Sequence, residues 1–160
     1  MIEDKLLTEI IGNQLSMYDS LSVSTKALLN AAIIDSVVNG GLKDDLINAI
    51  RNILTGSGSV TATGRPMSAY ASTLTQDSLM EYYANANLLA SEEAGIDKFE
   101  YAGTLIKDSR DWCISHQDKQ YTKEEIAGFD GDSWAGKKSG STMIHRGGYN
   151  CRHWWIPIID

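Results

Sequence analysis

Cysteine, histidine and tryptophan are missing from this chain until Trp112, and proline occurs only at Pro66 and Pro157. Two cysteines in 160 residues are too few for a disulfide scaffold. No apolar run approaches the ~20 residues that span a bilayer. The opening Met1-Ile2-Glu3-Asp4-Lys5 lacks the basic-then-apolar pattern of a signal peptide. The expectation is a protein made in a reducing cytoplasm, with no membrane partner. Gly-x-Ser-x-Gly, P-loop and His-Glu-x-x-His patterns are missing too. The net charge of -7 argues against a generic nucleic-acid or membrane coat, because phosphate binding needs clustered Lys and Arg.

What the chain has, it concentrates. Both cysteines, all three histidines and all four tryptophans fall in the last fifty residues. The stretch opens with Ser109-Arg110-Asp111-Trp112-Cys113-Ile114-Ser115-His116 and closes with His145-Arg146-Gly147-Gly148-Tyr149-Asn150-Cys151-Arg152-His153-Trp154-Trp155. These residue types supply soft metal ligands, nucleophiles and large rigid anchors, so specific chemistry or recognition is expected there.

The support is mainly helical. Ile2, Leu6, Leu7, Ile10, Ile11 and Leu15 predict an amphipathic helix over 2–17. Leu28, Leu29, Ile33, Ile34, Val37 and Val38 predict a second over 22–38, closed by Asn39-Gly40-Gly41 as a left-handed cap. Leu42, Leu46, Ile47, Ile50, Ile53 and Leu54 predict a third over 42–54, with Asp44 and Asp45 at its positive end. Residues 56–66 are rich in Gly, Ser and Thr and read as a linker. That composition shift divides a helical N-terminal region, 1–55, from a second domain, 67–160.

The second domain begins with a long helix over 67–94 whose stripe is Tyr70, Leu74, Met80, Tyr83 and Leu88, ended by Gly95. Alternation of Phe99 and Tyr101 with charged neighbours predicts a strand over 98–105. Asp108 to Asp111 reads as a turn, and Thr122-Lys123-Glu124-Glu125 is a capping box opening a short helix. Gly128 to Gly140 is a loop holding Trp134, and Arg152 to Ile159 is a final strand. The fold class is α+β, mainly helical: N-terminal helices and one long helix with a small C-terminal module of few strands.

Cys113-x2-His116 lets two ligands of one local turn reach a metal, and Cys151-x-His153 is a second close pair, with His145 as an alternate. Two thiolates and two imidazoles suit tetrahedral zinc. Against this, Cys-x-His is an uncommon zinc half-site, because neighbouring strand residues point to opposite faces. A Cys113–Cys151 disulfide, a Cys–His nucleophile pair, and plain packing without metal stay open beside it. Gly147-Gly148 reads as a backbone requirement, for positive φ and close approach before Cys151. In a strand, Trp154 and Trp155 face opposite ways, one inward and one outward.

Between Ser133 and Ile159 there is no Asp or Glu, while Lys137, Lys138, Arg146 and Arg152 all fall there. Together with Trp154 and Trp155 they are the candidate contacts to a partner or to DNA.

These residues resemble a family. Ala71-Ser72-Thr73-Leu74-Thr75-Gln76 leading into a long helix, its close at Glu92 to Ile96, Phe99-Glu100-Tyr101 and Asp108 to Cys113 are similar to the minor head proteins of tailed bacteriophages, the Mu protein F type. Tyr121 to Ile126 and Gly147 to Trp155 match a branch of that family. Thr75-Gln76 stands where the family has Thr-Glu. The resemblance covers 67–157 and implies a non-enzymatic virion component. Such a protein sits in the head or head–neck region in several copies around the portal, contacting the portal protein, other head or neck proteins and packaged DNA or its ejection path. The other reading is a zinc-stabilised nucleic-acid-binding module using the basic C-terminal segment.

Overall fold

The structure, a computed structural model, describes residues 21–58 and 64–159. The helix expected over 2–17 lies outside them. Helix α1 spans Val23–Asn39, with the Ser22 hydroxyl accepting from the Thr25 backbone N–H. Its end follows the glycines: Gly40 takes φ 65°, and the Gly41 N–H reaches back to the Ser36 carbonyl at 2.8 Å. That left-handed turn satisfies carbonyls the helix would otherwise orphan. Helix α2 spans Lys43–Ser57 and runs beyond the expected end into the linker stretch.

The two helices bury matching four-residue rows. Thr25, Leu29 and Ile33 of α1 and Leu46, Ile50 and Leu54 of α2 are all buried, the apolar members in one core. Each large apolar side chain so enclosed contributes about 1.5–3 kcal/mol. The row is narrower than the apolar pattern suggested: Leu28 and Val38 are exposed.

Helix α3 spans Ala71–Glu93, preceded by a 3-10 turn over Met67–Tyr70. Met67, Ala71 and Leu74 join the same core as Leu29 and Ile50. This changes the domain boundary. The chain divides into Met1–Tyr82 and Tyr83–Asp160, inside α3 rather than at 56–66. Composition marked a loop, but the core runs across it. The expected α3 stripe is corrected as well. Tyr83 is 58% exposed, whereas Asp77, Ser78 and Glu81 are buried with Leu74.

The unit from Tyr83 onward holds the sheet. Strand β1 spans Lys98–Gly103, helix α4 Asp111–His116, strand β2 Gln120–Thr122, helix α5 Lys123–Gly128, helix α6 Thr142–His145 and strand β3 His153–Pro157. The order is β2-β1-β3 with both pairings antiparallel. The result is a mainly helical α+β chain, as expected. Before β1, the Ile96 N–H bonds the Ser91 carbonyl and Gly95 takes φ 69°, ending α3 in a left-handed turn. Thr122 and Glu125 cap α5 reciprocally.

Register then sets the interior. Tyr101 lies opposite Trp155, and Gly103 opposite His153. Phe99, Tyr101 and Trp155 face a core completed by Cys113, Ile126, Met143 and Cys151. The Trp155 indole N–H donates to the Thr142 carbonyl at 3.1 Å. Trp155 is buried and Trp154 is 44% exposed, the alternation expected of a half-buried strand.

Candidate metal centre

Cys113, Cys151 and His153 meet. Their ligand atoms all lie within 4.8 Å of one another and all three residues are buried. Helix α4 delivers Cys113 and the first residue of β3 delivers His153. Cys151 belongs to neither a strand nor a helix. Asn150 takes φ 53°, and the Cys151 N–H closes a turn onto the Gly148 carbonyl. The turn, not strand pleating, aims Cys151, so the objection to a Cys-x-His pair does not apply. Cys151 Sγ and His153 Nδ1 are 3.8 Å apart.

Tyr101 reaches the pair from β1. Its hydroxyl lies 3.4 Å from each sulfur, and its ring stacks on His153 with centroids 5.0 Å apart. Gly147 lies against the same atoms. A Cβ there would sit 2.4 Å from Cys113 Sγ and 3.1 Å from both Cys151 Sγ and Tyr101 Oη. Gly148 takes φ 100°, and a Cβ on it would run into the Gly136 carbonyl. One glycine is required for space and the other for conformation as well.

The electrostatics separate the two thiols. The hydrogen bond from Cys113, aided by His153 and Tyr101, holds Cys151 below the usual thiol range despite burial. Cys113 is held above it, first by that shared bond and then by burial. Burial, then the neighbouring sulfurs, pushes the Tyr101 phenol far up. The shared bond thus favours loss of the Cys151 proton over that of Cys113, and Tyr101 stays protonated as a donor. Both cysteines are free thiols rather than a disulfide.

The cluster can hold a metal ion. At zinc–sulfur and zinc–nitrogen bond lengths, the edges of a tetrahedral site measure roughly 3.6–3.8 Å. The Cys151–His153 pair already has this spacing. His153 Nε2 is buried with no hydrogen-bond partner among the described residues, so an unpaired imidazole edge awaits an acceptor or a ligand.

The fourth expected ligand is not part of the cluster. His116 Nδ1 lies 2.7 Å from the Trp112 carbonyl, and its ring stacks on Trp112 with centroids 4.1 Å apart. Trp134 covers the other face of Trp112 at 4.4 Å. Stacking, not metal spacing, places His116. His145 ends α6 beside Gly140 and is likewise outside the cluster.

The expected basic contact surface also needs correction. Arg146 is 1% exposed and Lys138 is 4% exposed, with the Lys138 ammonium over the Tyr149 ring. The Lys137 ammonium donates to the Phe129, Asp130 and Asp132 carbonyls at 2.8, 2.7 and 2.6 Å. Trp155 is core. The internal packing of these groups leaves Arg152 and Trp154 as the exposed members of the expected set. Sequence reading missed Tyr101 as part of the site. Its signal was available in the inward alternation of β1, but not its distance to the sulfurs.

No protein-family model matches the chain, and neither a curated protein nor a solved structure shows significant similarity to it.

Proposed function

We propose that the chain is a structural protein of a tailed-bacteriophage head, of the minor head type. In this reading it acts at the portal vertex and not as an enzyme, and zinc on Cys113, Cys151 and His153 staples its C-terminal unit. One observation carries the reading. The segments that bear the resemblance, around Cys113 and from Gly147 to Trp155, are distant in sequence and converge on one buried cluster. A signature made of ligands, close-packed glycines and core aromatics is what a shape-holding module requires. Two thiolates and an imidazole favour zinc over harder divalent ions. In a unit of short elements a metal crosslink contributes directly to folding.

The internal use of Lys137, Lys138 and Arg146 favours a protein partner, the portal or a neighbouring head or neck protein, over packaged DNA. Trp154 and Ile156, both exposed on β3, are the contact residues this reading selects, since aromatic side chains dominate interface energetics. Several copies would surround the portal.

Quantifying the chain and its zinc in purified virions tests both parts. The expected result is a small, symmetric copy number with one zinc per chain. A chain abundant in infected cells but absent from virions overturns the assembly role. Purified protein without zinc, whose melting ignores chelators, overturns the metal.

A further inference from the structure

The three ligand residues share more than a cluster. Cys113, Cys151 and His153 also line one cleft, together with Ile106, Asp108, Arg110, Asn150 and Arg152. Tyr101 and Gly147 lie against the sulfurs but do not line it. The sulfur pair is thus covered on the side of β1 and the glycine turn, and reaches free space through the cleft. A site with three protein ligands and one position facing free space is the arrangement in which metals keep an exchangeable ligand.

We infer that this fourth position binds a small free carboxylate, held by Arg110 and Arg152. The inference rests on the zinc reading given above. The cleft opens to solvent and offers about 40 Å³ of space for water-sized groups, room for a small ligand beside the sulfurs. A carboxylate presents two coplanar oxygens, one for the metal and one for a guanidinium. Arg110 and Arg152 both line the cleft, and a guanidinium matches a carboxylate in charge and in planar, forked geometry. Arg110 is anchored by its bond to the Tyr149 carbonyl at 2.5 Å and packs against Gly136. Arg152 is exposed and sits between two of the ligands in sequence. The exchange is a simple substitution. With zinc held by Cys113, Cys151 and His153, the carboxylate would take the place of a water ligand, with one metal–oxygen bond exchanged for another and no electron or proton transferred.

Asp108, in the same cleft, is the internal competitor. If its carboxylate filled the fourth position, no external acid would enter.

Cobalt(II) in place of zinc reports each case. The full chain is loaded with cobalt, and the sulfur-to-cobalt charge-transfer band is recorded with the visible d–d bands. Acetate is then titrated at ionic strength held constant with chloride. The expected result is a saturable shift of the d–d bands with the charge-transfer band retained. Arg152→Gln should weaken the acetate response about two- to fivefold, the range for a rim-exposed charged contact. A charge-transfer band with d–d bands indifferent to acetate overturns the inference and leaves the metal reading intact. A response to phosphate and not to acetate overturns the carboxylate class. A spectrum altered by Asp108→Asn before any acetate is added assigns the fourth ligand to Asp108 and overturns it too. Failure to form the charge-transfer band removes the metal reading underneath.

Discussion

Gly147 touches Cys113 so closely that the smallest side chain cannot be added: its Cβ would stand 2.4 Å from Sγ. The sulfur cannot swing away easily, because Cys113 is buried and its Sγ lies 3.4 Å from the Tyr101 hydroxyl. The glycine turn and helix α4 are therefore locked together before any metal is considered.

Gly147→Ala should accordingly destabilise the C-terminal unit by about 1–3 kcal/mol, the usual cost of overpacking a closed core. It should also weaken metal binding, because the added methyl pushes apart two of the three ligands. Urea denaturation followed by tryptophan fluorescence reads the first effect, since all four tryptophans lie in that unit. An alanine variant with an unchanged midpoint would contradict the packing described.

The thiol and phenol shifts set a pH profile for the metal-free protein. Cys113 and Tyr101 ionise near 9.0 and 10.0 when unperturbed, and both are raised in the folded unit. Above pH 9 to 10 the unfolded chain loses protons that the folded chain keeps, so stability falls as pH rises. Cys151 is lowered and acts oppositely. It adds stability that is fully present above its unfolded value and is lost as pH falls through the folded one. The chelated protein should thus be most heat-stable near pH 9 and weaken beyond it. Tyr101→Phe should flatten the part of the decline above pH 10. Melting temperatures measured from pH 6 to 11 check this, and a steady rise through pH 11 would refute it.

Local rules account for what could be read in the sequence. Gly40 and Gly95 end helices because a left-handed residue is needed there, and Thr122 with Glu125 caps α5 through neighbours three apart. Trp154 and Trp155 divide outward and inward because a strand alternates. Each of these depends on residues close in the chain. The site does not. Cys151 and His153 meet Cys113 because Asn150 turns the backbone ahead of β3, and a left-handed turn at a residue other than glycine leaves no periodic signal. His116 had suitable ligand spacing, but Trp112 and Trp134 make a stack it completes. Strand β2 and helix α6 are too short to show periodicity at all. The buried carboxylates Asp77 and Glu81 sit on a face that charge alone would assign to solvent.

Two lysines of the C-terminal unit make a final contrast in how a cation is used. Lys123 pairs with Glu92 across side chains 42% and 46% exposed. Such pairs contribute about 0–1 kcal/mol, because water screens them and the side chains lose entropy. Lys137 instead gathers the Phe129, Asp130 and Asp132 carbonyls, and lies 4.5 Å from the Trp134 ring centroid. It closes the loop that carries Trp134, whose indole N–H donates to the Gly147 carbonyl at 3.0 Å. Through that bond the loop braces the glycine turn beside the sulfurs. Glu92→Gln should therefore leave the denaturation midpoint nearly unchanged. Lys137→Met should cost about 1–2 kcal/mol, as charge-assisted bonds to carbonyls are lost, and should expose residues 129–137 to limited proteolysis. Equal effects of the two substitutions would mean that the carbonyl cradle does not hold the loop.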